Sequence, residues 1–175
     1  MTDRWIATAV ATLAAVWSMA RYARVNSTYD TTRPRLSADG SFKWVFKCLV
    51  AGAFGATIAS YWTQQYWLMD VHDQPAWRLI GSAVMLLGVA GFEMSVRALG
   101  THYSPCFDAR VPAARVTRGP YRLVNHPIYV SNMLILLGAF SSSGSLWVLL
   151  AAVIIGVYYV RAARVESAAF GGPSR

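Results

Sequence analysis

Residues 127–160 form the longest uncharged part of the chain, PIYVSNMLILLGAFSSSGSLWVLLAAVIIGVYYV. It contains two apolar runs, 127–140 and 145–160, and only the small residues 141–145 separate the cores of these runs. Two antiparallel helices joined by a short loop form a helical hairpin. The stretch therefore predicts a tight hairpin of two apolar helices.

Three further apolar runs precede the hairpin, at residues 5–20, 44–62 and 79–92, and Lys47 is the only charged residue in all five runs. A membrane-spanning helix needs about 20 mostly apolar residues, with about 17 as a lower limit. Run 44–62 meets this length, whereas the others need their flanks. Because 55% of the side chains are apolar, too many for an ordinary soluble domain, we predict an all-α integral membrane protein with about five spanning helices.

The distribution of basic residues predicts the orientation. Residues 21–43 and 97–126 carry five Lys or Arg each, whereas residues 63–76 and 141–145 carry none. By the positive-inside rule, both basic loops and the C-terminus are cytoplasmic and the N-terminus is outside. We expect the first run to be a retained helix, because the region before it is too weakly basic for a signal peptide.

The net charge of +8 is explained by this topology and by contact with anionic membrane lipids. We therefore expect membrane lipids as partners and no nucleic acid. Cys48 lies in an apolar run and Cys106 in a loop, which argues against a disulfide, and no Cys/His spacing is typical of a metal site. The oligomeric state has no signal in the sequence.

The loop before the hairpin ends in His126-Pro127, where the fourth helix is predicted to begin. Proline is favoured at the first helical position, and Asn125 is a candidate N-cap. Two interpretations remain open for this segment. It is either a plain helix start or a helix N-terminus that receives an anionic group of a cofactor.

Several charged side chains lie at the ends of the apolar runs. Glu166 is unexpected near a helix C-terminus, where an acid opposes the macrodipole, so we predict a specific partner for it. Glu93 precedes Arg97 by four residues, which favours either an ion pair or a functional carboxylate. Arg78 and Lys47 are expected to extend their charges towards the membrane surface.

The chain resembles the isoprenylcysteine carboxyl methyltransferases and the related phospholipid methyltransferases over residues 97–171. The likeness rests on motifs before and at the start of an apolar hairpin, and on an Arg/Glu cluster after the hairpin that is followed by Phe170-Gly171. The earlier motifs are Leu99-Gly100, Tyr103-Ser104, Val116-Thr117, Gly119-Pro120-Tyr121-Arg122, and Asn125-His126-Pro127 with Tyr129. Two positions differ from the family pattern: Asn125 replaces an arginine, and Glu166 stands alone where the family has paired glutamates.

The resemblance implies one membrane-embedded methyltransferase domain over residues 1–175. Residues 1–96 would form three spans, and residues 97–175 a cofactor-binding loop, the hairpin and a short tail. It implies S-adenosylmethionine as cofactor at the cytoplasmic edge of the hairpin, bound by Ala113, Ala114, Arg115, Val116, Tyr121, His126, Pro127, Ile128, Tyr129 and Glu166. It also implies that a lipophilic or prenylated substrate enters from the bilayer, with its anion held by Arg161 or, one turn on, by Arg164.

Methyl transfer from a sulfonium is an in-line displacement, so we expect no catalytic residue beyond those that align the reactants and balance charge. The ring faces of Tyr121 and Tyr129 are candidates to favour the cation. A carboxylate acceptor is already ionised at neutral pH, and no acid–base pair is evident around His102 or His126. We therefore expect O-methylation of a lipophilic carboxylate.

Three alternatives stay open. The first is N-methylation of a lipid amine. The second is an NADPH-dependent enzyme like the sterol reductases, although those carry Asn where this chain has Ile128. The third is a non-catalytic membrane scaffold.

Overall fold

The computed structural model of the protein describes residues 2–27, 31–32, 42–63, 75–105 and 116–169. In these ranges the regular secondary structure is entirely helical, with single-turn 3-10 helices in the loop before the hairpin and no strand. The α-helices are α1 (Thr2–Ser27), α2 (Phe42–Thr63), α3 (Pro75–Leu99), α4 (Pro127–Ser143) and α5 (Leu146–Ala169). The predicted all-α class and a helix at each of the five apolar runs are confirmed.

Four of the helices, α1, α2, α3 and α5, are long and apolar enough to cross a membrane. Helix α4 is apolar but has 17 residues, which is at the lower limit of about 17 for a span. The chain is therefore a multi-pass membrane protein in which α4 is the shortest element of the bundle.

The helices alternate in direction, which gives the bundle two distinct ends. At one end Arg21 of α1 pairs with Glu93 of α3, with Nε and Oε1 2.5 Å apart. At the other end Thr8 of α1 accepts a hydrogen bond from Arg78 of α3, so α1 and α3 run in parallel. We call the first the proximal end, where α4 also begins, and the second the distal end.

The predicted hairpin of α4 and α5 is confirmed. Gly144 ends α4 with a φ of 63°, and its N–H donates to the Phe140 carbonyl at 2.8 Å. Glycine adopts this left-handed conformation without a steric penalty, which makes it the usual residue at a helix C-terminus. The chain then reverses at once into α5.

The closest partner of α4 is nevertheless α3 and not α5. A Cβ placed on Gly138 of α4 would lie 2.5 Å from the backbone nitrogen of Met85 in α3. Small residues allow membrane helices to approach until their backbones are in contact. The tight contact with α3 therefore fixes α4 relative to the rest of the bundle.

Two expectations for charged residues have different outcomes. The predicted Glu93–Arg97 pair is confirmed at 3.3 Å, and Arg21 is a second partner of the same carboxylate. The prediction that Arg78 extends towards the membrane surface is wrong, because its side chain is 0% exposed. It is held inside by the Thr8 hydroxyl and by the ring of Tyr61, whose centroid is 5.9 Å from the guanidinium carbon.

Candidate functional site

The segment before α4 is fixed to the end of α3. The Arg118 side chain donates from Nε to the carbonyl of Ala98 at 3.0 Å. The chain then makes a 3-10 turn over Gly119–Arg122, with a proline at its start. This anchored turn brings Tyr121 to the proximal end, beside the start of α4.

Helix α4 begins at Pro127 as predicted, but its N-cap lies one residue later than predicted. The N-cap is His126 and not Asn125, and the His126 carbonyl accepts from the backbone N–H of Tyr129 at 3.1 Å. The prediction was wrong because Pro127, with its fixed φ, is the first helical residue, which leaves His126 as the residue that flanks it. The imidazole makes no capping hydrogen bond and is directed instead at the end of α5.

The His126 imidazole contacts two consecutive residues of α5. Its Nδ1 lies 3.3 Å from Oε2 of Glu166, and its Nε2 lies 3.2 Å from the hydroxyl oxygen of Ser167. The His126 and Glu166 side chains are 25% and 24% exposed. They therefore form a partly buried acid–base pair at the proximal end, where the sequence had shown none.

Glu166 has the specific partners that its unfavourable position at the end of α5 predicted. Besides His126 on one carboxylate oxygen, the Tyr129 hydroxyl donates a hydrogen bond to the other. In this structure the carboxylate is therefore paired with α4 residues and not with the neighbouring Arg161 or Arg164.

Aromatic rings connect this pair to the interior of the bundle. The Tyr129 ring stacks on the His126 imidazole, with centroids 5.4 Å apart and planes inclined by 9°. It also stacks on the Tyr159 ring of α5, at 4.7 Å and 10°. We call these three side chains the ring stack.

The second tyrosine near the pair is Tyr121. Burial, and secondarily the charge of Glu166, raise the pKa of the Tyr121 hydroxyl. This group therefore stays protonated at neutral pH and is available as a hydrogen-bond donor. Of the residues predicted to bind cofactor, the structure thus brings His126, Tyr129 and Glu166 into contact, with Tyr121 near enough to Glu166 for the charge of the carboxylate to affect its pKa.

The remaining predicted cofactor residues differ in how far they are buried. Pro127 is buried as the first residue of α4, Val116 is half-buried, and Ile128 packs against the hydrophobic core. Ala113, Ala114 and Arg115 lie outside the described residues. Within the described ranges, no three His, Cys, Asp or Glu side chains are grouped so as to hold a metal ion.

The two predicted substrate arginines are on a different side of α5. Arg161 and Arg164 are exposed and line an apolar groove between α4 and α5 with a volume of about 460 Å³. The groove floor includes Met133 of α4 and Gly156 of α5. A long hydrocarbon chain bound in this groove would have its proximal end next to the guanidinium groups of Arg161 and Arg164.

Three contact residues of the site were missed at the sequence level: Asn132, Tyr159 and Ser167. Asn132 is buried and donates from Nδ2 to the Tyr159 hydroxyl at 3.0 Å. A signal was available for Asn132, because it is the only carboxamide in the apolar run 127–140 and follows Tyr129 by about one helical turn. Tyr159 and Ser167 have no such signal, since their contacts depend on how α5 packs against α4.

Comparison with known proteins gives one match. The model of a family described as phospholipid methyltransferase matches residues 77–170, which is more than half of the 175 residues. The matched range starts in α3 and continues to the end of α5, so it contains the helix against which α4 packs. No curated protein and no solved structure matches the chain.

Proposed function

The chain belongs to the phospholipid methyltransferase family and is a membrane methyltransferase, and we propose that it transfers the methyl group of S-adenosylmethionine to a lipophilic acceptor at the proximal end of the bundle. The observation that supports this most is the grouping of Tyr121, His126, Tyr129 and Glu166 at the start of α4. All four residues lie inside the matched range.

The side chains at the proximal end fit this cofactor chemically. A carboxylate such as that of Glu166 accepts hydrogen bonds from hydroxyl or ammonium groups, and protonated phenols donate to carboxylates. The start of α4 adds backbone N–H groups, which favour an anionic group. We therefore assign cofactor contact to these four residues together with Val116, Pro127 and Ile128, and we keep Ala113, Ala114 and Arg115 as proposed contacts.

When bound, S-adenosylmethionine supplies an electrophilic methyl group on a sulfonium. The protein's own task is to align this group with the acceptor and to exclude water. Because the Tyr129 ring already stacks on His126 and Tyr159, Tyr121 is the better candidate for a ring-face contact with the sulfonium. Such a contact contributes about 0.5 to 2 kcal/mol.

The groove between α4 and α5 supports a lipophilic substrate. Its apolar floor suits a hydrocarbon chain, and Arg161 and Arg164 at its proximal end suit an anionic group. We propose O-methylation of a lipophilic carboxylate held by Arg161. A carboxylate oxygen forms the new bond to the methyl carbon, the carbon–sulfur bond breaks, and its electron pair leaves with the thioether, so no proton is transferred.

N-methylation of a lipid amine is a second candidate because the structure contains the His126–Glu166 pair. A protonated amine must lose a proton before it attacks a methyl group, and an imidazole oriented by a carboxylate is a suitable base. In this reaction His126 would take up the proton of the ammonium, the neutral amine nitrogen would form the bond to the methyl carbon, and the carbon–sulfur bond would break with its electron pair leaving on the thioether.

Parallel titrations of the detergent-purified protein with S-adenosylhomocysteine and with NADPH test the cofactor. We expect binding of S-adenosylhomocysteine only. Binding of NADPH alone would support a reductase, and binding of neither compound would support a non-catalytic scaffold.

The acceptor is tested with labelled S-adenosylmethionine and membrane lipids. A methyl ester releases the label as methanol in mild base, whereas a methylated amine keeps it. Base-labile product supports the carboxylate, and base-stable product the amine.

We also propose that the proximal end faces the cytoplasm, as the charge distribution predicts. Single cysteines are introduced on a background without Cys48 and Cys106 and labelled in intact cells with an impermeant reagent. A cysteine at Ser141, which is only half-buried and lies beside the hairpin turn, is expected to react, and one at Ser174 is expected to be protected. Reaction at Ser174 in intact cells would refute this orientation.

A further inference from the structure

Asn132 places a carboxamide inside an apolar bundle. The side chain is 5% exposed, and its Nδ2 donates to the Tyr159 hydroxyl at 3.0 Å. Its Oδ1 has no hydrogen-bond partner in the described part of the chain. Burying an amide away from water is unfavourable unless it is hydrogen-bonded. The hydrogen bond to Tyr159 therefore offsets part of the cost of burying Asn132.

Tyr159, the hydrogen-bond partner of Asn132, is the innermost ring of the ring stack. The Tyr159 ring is nearly parallel to that of Tyr129, with planes 10° apart. The Tyr129 hydroxyl donates to Glu166, whose other oxygen meets His126. A continuous series of contacts therefore runs from the buried amide of α4, through α5, and back to the acid–base pair.

We propose that Asn132 and Tyr159 are positioning residues that set the plane of the Tyr129 ring and so direct its hydroxyl at Glu166. The hydrogen bond from Asn132 restrains the phenol of Tyr159, and the stacked contact transmits this restraint to Tyr129. Neither residue reaches the proximal surface, so both act through Tyr129. The inference rests on the proposed function, because cofactor affinity is its readout.

Two variants remove the restraint, namely Asn132→Leu, which keeps the branching of the side chain, and Tyr159→Phe, which keeps the ring. The matched control is Tyr158→Phe, which removes a hydroxyl from the neighbouring tyrosine of α5. Loss of one buried hydrogen bond should weaken S-adenosylhomocysteine binding about threefold to tenfold in the first two variants. The control is expected to bind as the wild type does.

The alternative is that Asn132 only connects α4 to α5, as polar residues often do in membrane bundles. A lower melting temperature with an unchanged dissociation constant in both variants would establish that role and overturn the proposal. If Asn132→Leu does not fold, Tyr159→Phe decides alone, since it keeps the ring and its packing.

A double-mutant cycle tests the route through Tyr129. In a Tyr129→Phe background there is no hydroxyl to direct, so Asn132→Leu should cause no further loss of affinity. Equal losses in both backgrounds would overturn the proposal. A wild-type protein that does not bind S-adenosylhomocysteine would refute the proposed function itself, whereas normal wild-type binding with unchanged variants would refute this inference alone.

Discussion

The two ends of the bundle each contain a polar cluster that joins several helices, but the clusters differ in access to the surface. At the distal end, Tyr61 and Ser142 share a hydrogen bond next to Arg78, and all three side chains are buried. At the proximal end, His126 and Glu166 are each about a quarter exposed. A ligand that arrives from outside the bundle reaches only the second cluster.

The clusters also differ in their chemistry. The distal one combines hydroxyl groups with one guanidinium and connects α1, α2, α3 and α4. The proximal one combines an imidazole, a carboxylate and phenols, groups that bind a cofactor or accept a proton. Polar groups inside a membrane bundle are therefore not by themselves a sign of a site. We expect the distal cluster to determine stability and the proximal cluster to determine binding.

The largest effect is expected for His126→Ala. The change removes the outer ring of the stack and one partner of Glu166, so binding of S-adenosylhomocysteine should fall by roughly a hundredfold or more, which is about 2.7 kcal/mol. Arg161→Ala is the matched variant from the groove, and it should retain cofactor affinity while substrate turnover falls. Calorimetry that shows equal loss of cofactor affinity in both variants would contradict this division of roles.

A smaller effect is expected for Glu166→Gln, which keeps the shape of the side chain and removes its charge. A hydrogen bond to a charged group contributes about 1.5 to 3 kcal/mol, so cofactor affinity should fall about tenfold to a hundredfold. Affinity and melting temperature are measured on the same variant. An unchanged dissociation constant would mean that Glu166 only joins α5 to α4, and the cofactor site would then depend on the segment 113–129.

The sequence was sufficient for the parts of the molecule that depend on local pattern. Apolar runs, most of them extended by their flanks, indicated the helices, and the short interval of small residues between the last two runs indicated the hairpin. The position of Glu166 near a helix C-terminus, where the macrodipole disfavours an acid, correctly indicated a specific partner.

The parts that depend on how helices pack were not predictable in the same way. To predict that Gly138 contacts Met85, one must know how far α3 and α4 are shifted along their axes. The same knowledge is needed to predict that α3 is the main neighbour of α4. The stacking of Tyr159 on Tyr129 requires the register of α5 against α4. The burial of Arg78 depends likewise on where α1 and α2 place a hydroxyl and a ring face.

The smallest effect is expected for Tyr61→Phe at the distal end. This change removes the hydrogen bond between the Tyr61 hydroxyl and Ser142 but keeps the ring beside Arg78. Ser142 retains a partner, because its hydroxyl also donates to the Ala139 carbonyl at 3.0 Å. Hydrogen bonds between membrane helices average about 0.6 kcal/mol, so the free energy of unfolding should fall by about 0.5 to 1 kcal/mol.

Cofactor affinity is the sharper readout of the same variant. If the distal cluster has only a structural role, Tyr61→Phe binds S-adenosylhomocysteine as the wild type does, while Tyr129→Phe, which removes the corresponding hydroxyl at the proximal end, binds it more weakly. The two variants make the same chemical change at opposite ends of the bundle, so a difference between them is due to position. Equal weakening in both would show that the ends are coupled through α4, which carries both Ser142 and Tyr129, and the separation into a stability cluster and a binding cluster would then be wrong.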